Sequence, residues 1–351
     1  MPRHSPIHCI VPPDILQAVI KEGSREERES ALDTMATDQT FRLARAAVAA
    51  TLGGFQRQLK VTGGGTGGKP QRTIYDQRNG ESMAVGTVAR SEGAPPVKDA
   101  AVNEAYDGFG ATYDFFWDVF ERNSIDGQGM PIHGLVHFGK AYGNAFWDGE
   151  GNMFFGDGDE QLFTRLTKSI DVIGHELTHG VTQYEANLAY SHQSGALNES
   201  MSDVFGSLVK QRHLGQSATE ADWLIGAEVV GPTLAPALRS MKEPGTANQY
   251  DKQPADMAHF LNTPADNGGV HTNSGIPNRA FYVVATTLGG NAWEDAGQIW
   301  YESLRDPVLR SNATFRAFAR ITVRQAQRLF GAGSPQVQAV KDGWEATKVP
   351  V

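Results

Sequence analysis

Apolar residues recur every three or four positions in "AAVNEAYDGFGATYDFFWDVFERN", where Val102, Tyr106, Phe109, Tyr113, Phe116 and Phe120 form one stripe. That spacing predicts an amphipathic helix. Around it, from Arg72 to about Gly158, the pattern shortens to alternating runs such as "TIYDQRNGESMAVGTVARSEG" and "GLVHFGKAYGNAFWDGEGNMFFGDGD", broken often by turn residues. Such runs predict antiparallel strands. Beyond residue 190 the period is mainly helical, through "NESMSDVFGSLVKQR", "IPNRAFYVVATTLGG", "AWEDAGQIWYESLR", "ATFRAFARITVRQAQRLFG" and "SPQVQAVKDGWEAT". Strands early and helices late predict an α+β chain of two lobes.

The leading segment has a different texture. Residues 14–50 are charged and helix-prone, with Asp14 and Ser24 as expected N-caps. The run "VTGGGTGGKPQ" then reads as a flexible linker. The expected division is a leading segment over 1–62, a glycine-rich linker over 63–71, a β-rich lobe over 72–185 and a helical lobe over 186–351.

Composition narrows the function classes. A net charge of −9 argues against a reader of nucleic-acid backbones. The single cysteine, Cys9, excludes an intrachain disulfide. Pro12, Pro13 and Asp14 split the apolar run near the start, so no secretory leader is expected. No stretch reaches the roughly 20 apolar residues of a membrane span. Synthesis in the cytoplasm is the expectation, with export lacking a conventional leader an open route.

The chemistry concentrates in "DVIGHELTHGV", residues 171–181. His175 and His179 stand four apart, hence on one helix face, where both can hold one metal ion. A catalytic zinc wants a third protein ligand and an open position. Glu199 in "GALNESMSD" supplies the third, and Asp203, one turn further, can hold the outer nitrogen of a ligating imidazole, as can Asn198. Glu176 can take a proton from a water that the metal acidifies to a pKa of about 7. This constellation predicts metal-assisted amide hydrolysis. His4, His8, His133, His137, His192, His213 and His259 lack any such spacing and default to surface or core roles.

From about residue 70 onward the sequence resembles the thermolysin family of zinc endopeptidases. The shared motifs are "GTVARSEG", "GNAFWDG", "GDGDEQLF", "DVIGHELTHGVTQYEANLAY", "SGALNESMSDVFG", "LRSM" and "DNGGVHTNSGIPNRAFY", in that order. The resemblance implies a two-lobed thermolysin-like fold with the zinc-binding helix between the lobes. It implies zinc on His175, His179 and Glu199, Glu176 as the base, and Asp203 and Asn198 orienting the histidines. It further assigns Tyr190 and His271 to the developing oxyanion, Asp266 to orienting His271, Asn144 and Ala145 to an exposed edge strand that binds substrate, and Arg239 to a substrate carbonyl. Phe163, Leu166, Val172, Ile225, Val229 and Leu238 fall where the family lines the pocket for the residue after the scissile bond, which implies cleavage before Leu, Phe, Ile or Val.

Departures from the family carry their own expectations. Asp171 and Asp222 persist from a double calcium site, but Lys210, Leu224 and Ala227 intrude, and an ammonium there makes calcium dispensable. Pro236 replaces a carboxylate of a second calcium loop. The short leading segment, with "HCIVPPDIL", is similar to that of the protealysin-like branch and implies a propeptide that covers the cleft until it is removed, acting as the enzyme's own inhibitor. Cys9 beside His8 suggests either a thiolate cap on the zinc or, equally, a buried or surface thiol near a helix start. A zinc aminopeptidase and a non-catalytic zinc protein remain alternative classes. Peptides or proteins are the expected substrates.

Overall fold

The computed structural model describes residues 8–51 and 67–351. Residues 52–66, which contain the expected end of the leading segment and the first part of the glycine-rich linker, lie outside that description, as do residues 1–7.

The leading segment enters as strand β1, His8–Cys9, followed by helices α1, Pro13–Glu22, and α2, Arg25–Thr51. Pro13 occupies the first turn of α1, where its missing N–H costs nothing. Asp14 therefore sits inside the helix, and the expected Asp14 cap is corrected to Pro12. Ser24 does cap α2: its Oγ accepts from Glu27 N at 3.3 Å while the Glu27 carboxylate accepts from Ser24 N at 2.7 Å, a capping box.

The first lobe holds strands β2 (Arg72–Asp76), β3 (Thr87–Ser91), β4 (Ile132–Val136), β5 (Ala145–Trp147) and β6 (Asn152–Phe155), with helix α3 (Ala100–Phe120) crossing between β3 and β4. The sheet order is β1-β5-β6-β4-β2-β3. Here the expectation of antiparallel strands needs correction: β2 with β4 and β4 with β6 are parallel. The chain between β2 and β4 includes a whole helix, the kind of crossover that parallel neighbours require.

The apolar stripe of α3 is buried as its spacing predicts. Gly134 on β4 lets Phe109 approach so closely that a Cβ there would sit 2.8 Å from the ring. Alternate strand residues divide between two cores. Ile74, Ala145, Trp147, Met153 and Phe155 join the core shared with α3, whereas Leu135, Phe146 and Phe154 face a second cluster. Phe41 of α2 completes that second cluster, packed against Phe138 at 5.3 Å between ring centroids.

Helix α4, Ile170–Glu185, ends the first lobe and packs against α3, β5 and α5, His192–Leu214. The second lobe adds a small sheet of β7 (Leu224–Ile225) and β8 (Arg239–Ser240), then helices α6 (Asp266–Asn273), α7 (Gly275–Leu288), α8 (Asp295–Leu304), α9 (Phe315–Phe330) and α10 (Pro335–Ala346). Stacked Trp300 and Trp344 anchor its core at 6.1 Å. The fold is thus a mixed-sheet lobe and a helical lobe joined through α4. No described helix is long and apolar enough to cross a membrane.

Candidate active site

The site is built where α4 and α5 touch. Gly174 and Gly206 face one another across that contact, and a Cβ on Gly206 would lie 2.4 Å from the Asp171 carbonyl. Any larger side chain would push the helices apart. At this close approach His175 and His179 on α4 meet Glu199 on α5, and one donor atom from each lies within 4.8 Å of the others.

Hydrogen bonds fix which imidazole nitrogens face inward. His175 Nδ1 pairs with Asp203 Oδ1 at 2.8 Å, and His179 Nδ1 pairs with Asn198 Oδ1 at 2.8 Å. Both partners are acceptors, so both Nδ1 atoms carry the proton. The two Nε2 atoms then present lone pairs to each other at 3.0 Å, too close for neutral acceptors without a cation between them. Glu199 adds oxygens 3.5 and 3.6 Å from these nitrogens, and its buried Oε2 makes no hydrogen bond among the described residues. Two imidazole nitrogens and a carboxylate converging with no proton to share are the donor set of a zinc site.

The supporting shell is dense. Asp203 accepts from Arg239 Nη2 at 2.8 Å, from Arg239 Nε at 3.0 Å and from Asn278 Nδ2 at 2.8 Å, besides His175. Burial alone would raise the Asp203 pKa, but Arg239 and His175 outweigh it and hold the group ionised. Burial, reinforced by His8 and His175, pushes His179 well below the ordinary histidine range, so it stays a neutral ligand.

Glu176 is fully buried, with Oε2 accepting from Trp147 N at 3.1 Å and Oε1 making no hydrogen bond among the described residues. Burial and then the Glu199 charge raise its pKa well above the carboxylate norm. His271 Nε2 lies 3.2 Å from the Tyr190 hydroxyl, which also bonds Glu199. The turn opening α6 explains the placement of Asp266. Asp266, Asn267, Gly268 and Gly269 all have positive φ, and a Cβ on Gly268 would strike His192 within 3.0 Å. This tight curl returns the Asp266 carboxylate to both His271 N and His271 Nδ1, each at 2.8 Å. Burial opposes charge on His271, yet Asp266 and Glu199 prevail and raise it to about 9.

The leading segment fills the cleft. Asn144 and Ala145 are fully buried, because β1 pairs antiparallel with β5 in the register His8↔Trp147 and Cys9↔Phe146. The expected exposed edge is therefore covered. Ile10 N donates to Ala145 O at 3.2 Å, Val11 N to Asn144 Oδ1 at 3.0 Å, and Arg239 Nη1 to Ile10 O at 2.8 Å. From α2, Thr34 accepts from Gly143 N and Asp38 from Asn144 Nδ2. Only about 10 Å³ of cavity remains beside Pro12, Asp14, Leu238, Arg239 and His271.

The cysteine cap is overturned. Successive strand residues point to opposite faces. Cys9 faces Phe41, Phe138, Phe146 and Phe154 in the second cluster, and among the described residues the metal-competent group is His175, His179 and Glu199. What reaches the centre is the Cys9 carbonyl, 2.8 Å from His271 Nε2. His8, read from sequence as surface or core, stacks on Tyr190 at 4.2 Å and tilts over His179 at 4.4 Å. Sequence reasoning also missed Asn278 and the Trp147 amide, which carry no local spacing signal. Pro13 itself starts α1, so the Pro12-Pro13 pair turns the chain out of β1 into a helix.

Phe163, Leu166, Val172, Ile225, Val229 and Leu238 all join one buried cluster, which also includes Ile10. Lys210 Nζ lies 3.1 Å from Asp171 Oδ2, 2.9 Å from Asp222 Oδ1 and 2.7 Å from Leu224 O. Burial lowers its pKa, but Asp171 and Asp222 reverse the sign and raise it.

Comparison with known proteins agrees with this geometry. Residues 22–183 match the thermolysin metallopeptidase catalytic domain and residues 186–349 its alpha-helical domain. The extracellular metalloprotease of Pectobacterium carotovorum subsp. carotovorum is 46% identical, over 99% of this chain and 98% of that one. The bacillolysin of Bacillus cereus is 41% identical over 72% of this chain and 44% of its own length. The solved precursor of protealysin, a metalloproteinase from Serratia proteamaculans, superposes with a TM-score of 0.86 at 48% identity, covering 98% of this chain and all of that one. Motifs, metal geometry and full-length similarity together place the chain in the thermolysin family of zinc metalloproteases, made, like protealysin, with a propeptide.

Proposed function

We propose that residues 1–62 are the inhibitory propeptide, 63–71 a linker, and 72–185 and 186–351 the two catalytic lobes, and that the site residues act in the roles that follow. Zinc held by His175, His179 and Glu199 would supply a Lewis acid that polarises the substrate carbonyl and acidifies water. Glu176, with its raised proton affinity, takes the proton of the attacking water and passes it to the leaving amine. His271, oriented by Asp266, and Tyr190 donate to the carbonyl oxygen as it gains charge. Asp203 and Asn198 fix the ligand tautomers. Asn144, Ala145 and Arg239 bind extended substrate backbone by strand addition.

The apolar set around Leu238 and Val229 selects a bulky hydrophobic residue after the scissile bond. Peptides and proteins are the substrates, nucleic acids are not, and Lys210 makes calcium dispensable at its site. Export belongs to the same reading, supported by a relative named as extracellular.

The observation that carries this reading is the pair of inward Nε2 lone pairs set against Glu199, with Glu176 beside them. Digestion of an unfolded protein by the wild type and by Glu176→Gln tests it. Internal cuts before Leu, Phe, Ile or Val are expected from the wild type, and a loss of at least roughly a hundredfold in the variant with zinc content unchanged. Amino-terminal trimming would point to an aminopeptidase, and no turnover with zinc retained to a structural site.

A further inference from the structure

One peptide bond of the chain itself lies across the catalytic groups. The Cys9 carbonyl oxygen accepts from His271 Nε2 at 2.8 Å. On the other side of that bond, Ile10 N–H donates to Ala145 O at 3.2 Å, on the same strand whose Trp147 N–H holds the Glu176 carboxylate at 3.1 Å. The next peptide unit is held differently: the Ile10 carbonyl goes to Arg239 and Val11 N–H to Asn144, neither of which can take or give the proton of the reaction. Among the described residues, the Cys9–Ile10 peptide alone presents its oxygen to His271 Nε2 while its nitrogen is held by the backbone of β5.

The side chains agree with the backbone. Ile10 is fully buried in the cluster that includes Val229 and Leu238. A β-branched apolar residue thus follows this bond, the preference proposed for substrates. The chain direction is also fixed, because β1 runs antiparallel to β5 with Cys9 opposite Phe146. An inhibitory segment bound in reverse would put a nitrogen where this one puts a carbonyl.

We infer that the Cys9–Ile10 peptide bond is a self-cleavage site: the precursor binds its own leading segment as substrate and hydrolyses it there. The inference rests on the proposed roles of Glu176 and His271. Water adds across the bond, so the C–N bond breaks, the hydroxyl group ends on the Cys9 carboxyl and the hydrogen on the Ile10 amine. No other reactant is consumed. The Ile10 amine stays beside Ala145, and Val11 and Arg239 keep their contacts, so the nicked chain holds its shape and the two pieces separate only under denaturing conditions.

The single cysteine makes the test direct. Full-length protein labelled with 13C at the cysteine carbonyl gives one labelled signal. In metal-free protein, His271→Phe should move that resonance by removing its hydrogen-bond donor; an unmoved resonance overturns the placement. On loading with zinc, the amide signal should convert to a carboxylate signal at a rate independent of protein concentration. Denaturing mass analysis should then show residues 1–9 lost and a new amino terminus at Ile10. Glu176→Gln should retain the intact bond. An added unfolded protein separates the two levels of failure. If it is digested while Cys9–Ile10 stays whole, the self-cleavage is refuted and the protease reading stands; if neither is cut, both fall.

Discussion

Replacing Lys210 with Met isolates a charge buried between the start of β7 and the start of the zinc helix. Lys210 is 8% exposed, Asp171 fully buried and Asp222 49% exposed. Attraction to Asp171 at 3.1 Å is roughly 5 kcal/mol at an effective dielectric of about 20. The half-exposed Asp222 adds little, as surface pairs do. With the ammonium gone, Asp171 keeps Ser169 Oγ at 2.6 Å and Gly226 N at 3.3 Å, which places the loss at the low end of the range for an orphaned buried charge, about 3 kcal/mol. For domains of this size that is a fall in Tm of about 6–12 °C.

The raised pKa of Lys210 sets the pH window. Its stabilisation is fully present below the ordinary lysine value and is lost only as pH rises through the folded-state value. The difference between wild type and Lys210→Met should therefore be constant from pH 6 to 9. Denaturant unfolding of the Glu176→Gln background, which avoids self-digestion, measures it. Adding Asp171→Asn to Lys210→Met should recover more than half of the loss, because the orphaned charge goes with it. A Lys210→Met variant within about 1 kcal/mol of its parent would refute the reasoning.

Three further outcomes follow from the geometry. Asp203→Asn should weaken zinc binding roughly 10- to 100-fold, read by competition with a chelator, because it removes the acceptor that fixes His175. His137 is raised to about 9, first by its bond to Asp157, against burial and with help from Asp99. Its folded value exceeds the unfolded one, so its stabilisation is full below about pH 6.5 and lost as pH climbs through 9; the stability gap to His137→Gln should be widest at pH 6 and close near pH 10. Arg239→Lys should both loosen zinc and expose the cleft, measured as faster proteolysis of the leading segment by an added protease, since an ammonium lacks the fork that serves two partners at once.

What the sequence disclosed tracks how local each signal is. His175, His179 and the Glu199–Asp203 pair are legible because helical spacing of four residues is itself the geometry. Asn278 is 75 residues from Asp203, and the Trp147 amide 29 residues from Glu176, so their bonds depend on tertiary packing with no sequence period behind it. Tyr190, His271 and Asp266 were reachable only through family resemblance, although the consecutive glycines of "DNGGVH" do mark a left-handed turn in retrospect. The mixed sheet was misread because alternation reports the exposure of a strand and says nothing about its neighbour's direction. The helix over 100–120 was the available correction, since a crossover of that length permits parallel pairing. Of the two readings open for Cys9, the buried thiol is the one found, because the period of two assigns successive side chains to opposite faces.

Arg239 explains how a covered cleft and an intact metal site coexist. Its Nε and Nη2 grip Asp203, which holds His175, while Nη1 alone reaches the Ile10 carbonyl. The fork is rigid, so loss of the leading segment frees one donor and leaves the other two in place. Burial would disfavour the guanidinium charge, but Asp203 and then Glu199 overcome it, and the charge persists whether or not Ile10 is present. On the proposed substrate role of β5 and Arg239, an arriving peptide would meet a carbonyl donor already aimed and a histidine already locked, with no reorganisation needed at either. The same side chain that holds the precursor closed therefore preserves the site for its opening, and the energy of covering the cleft is not drawn from the geometry that binds zinc.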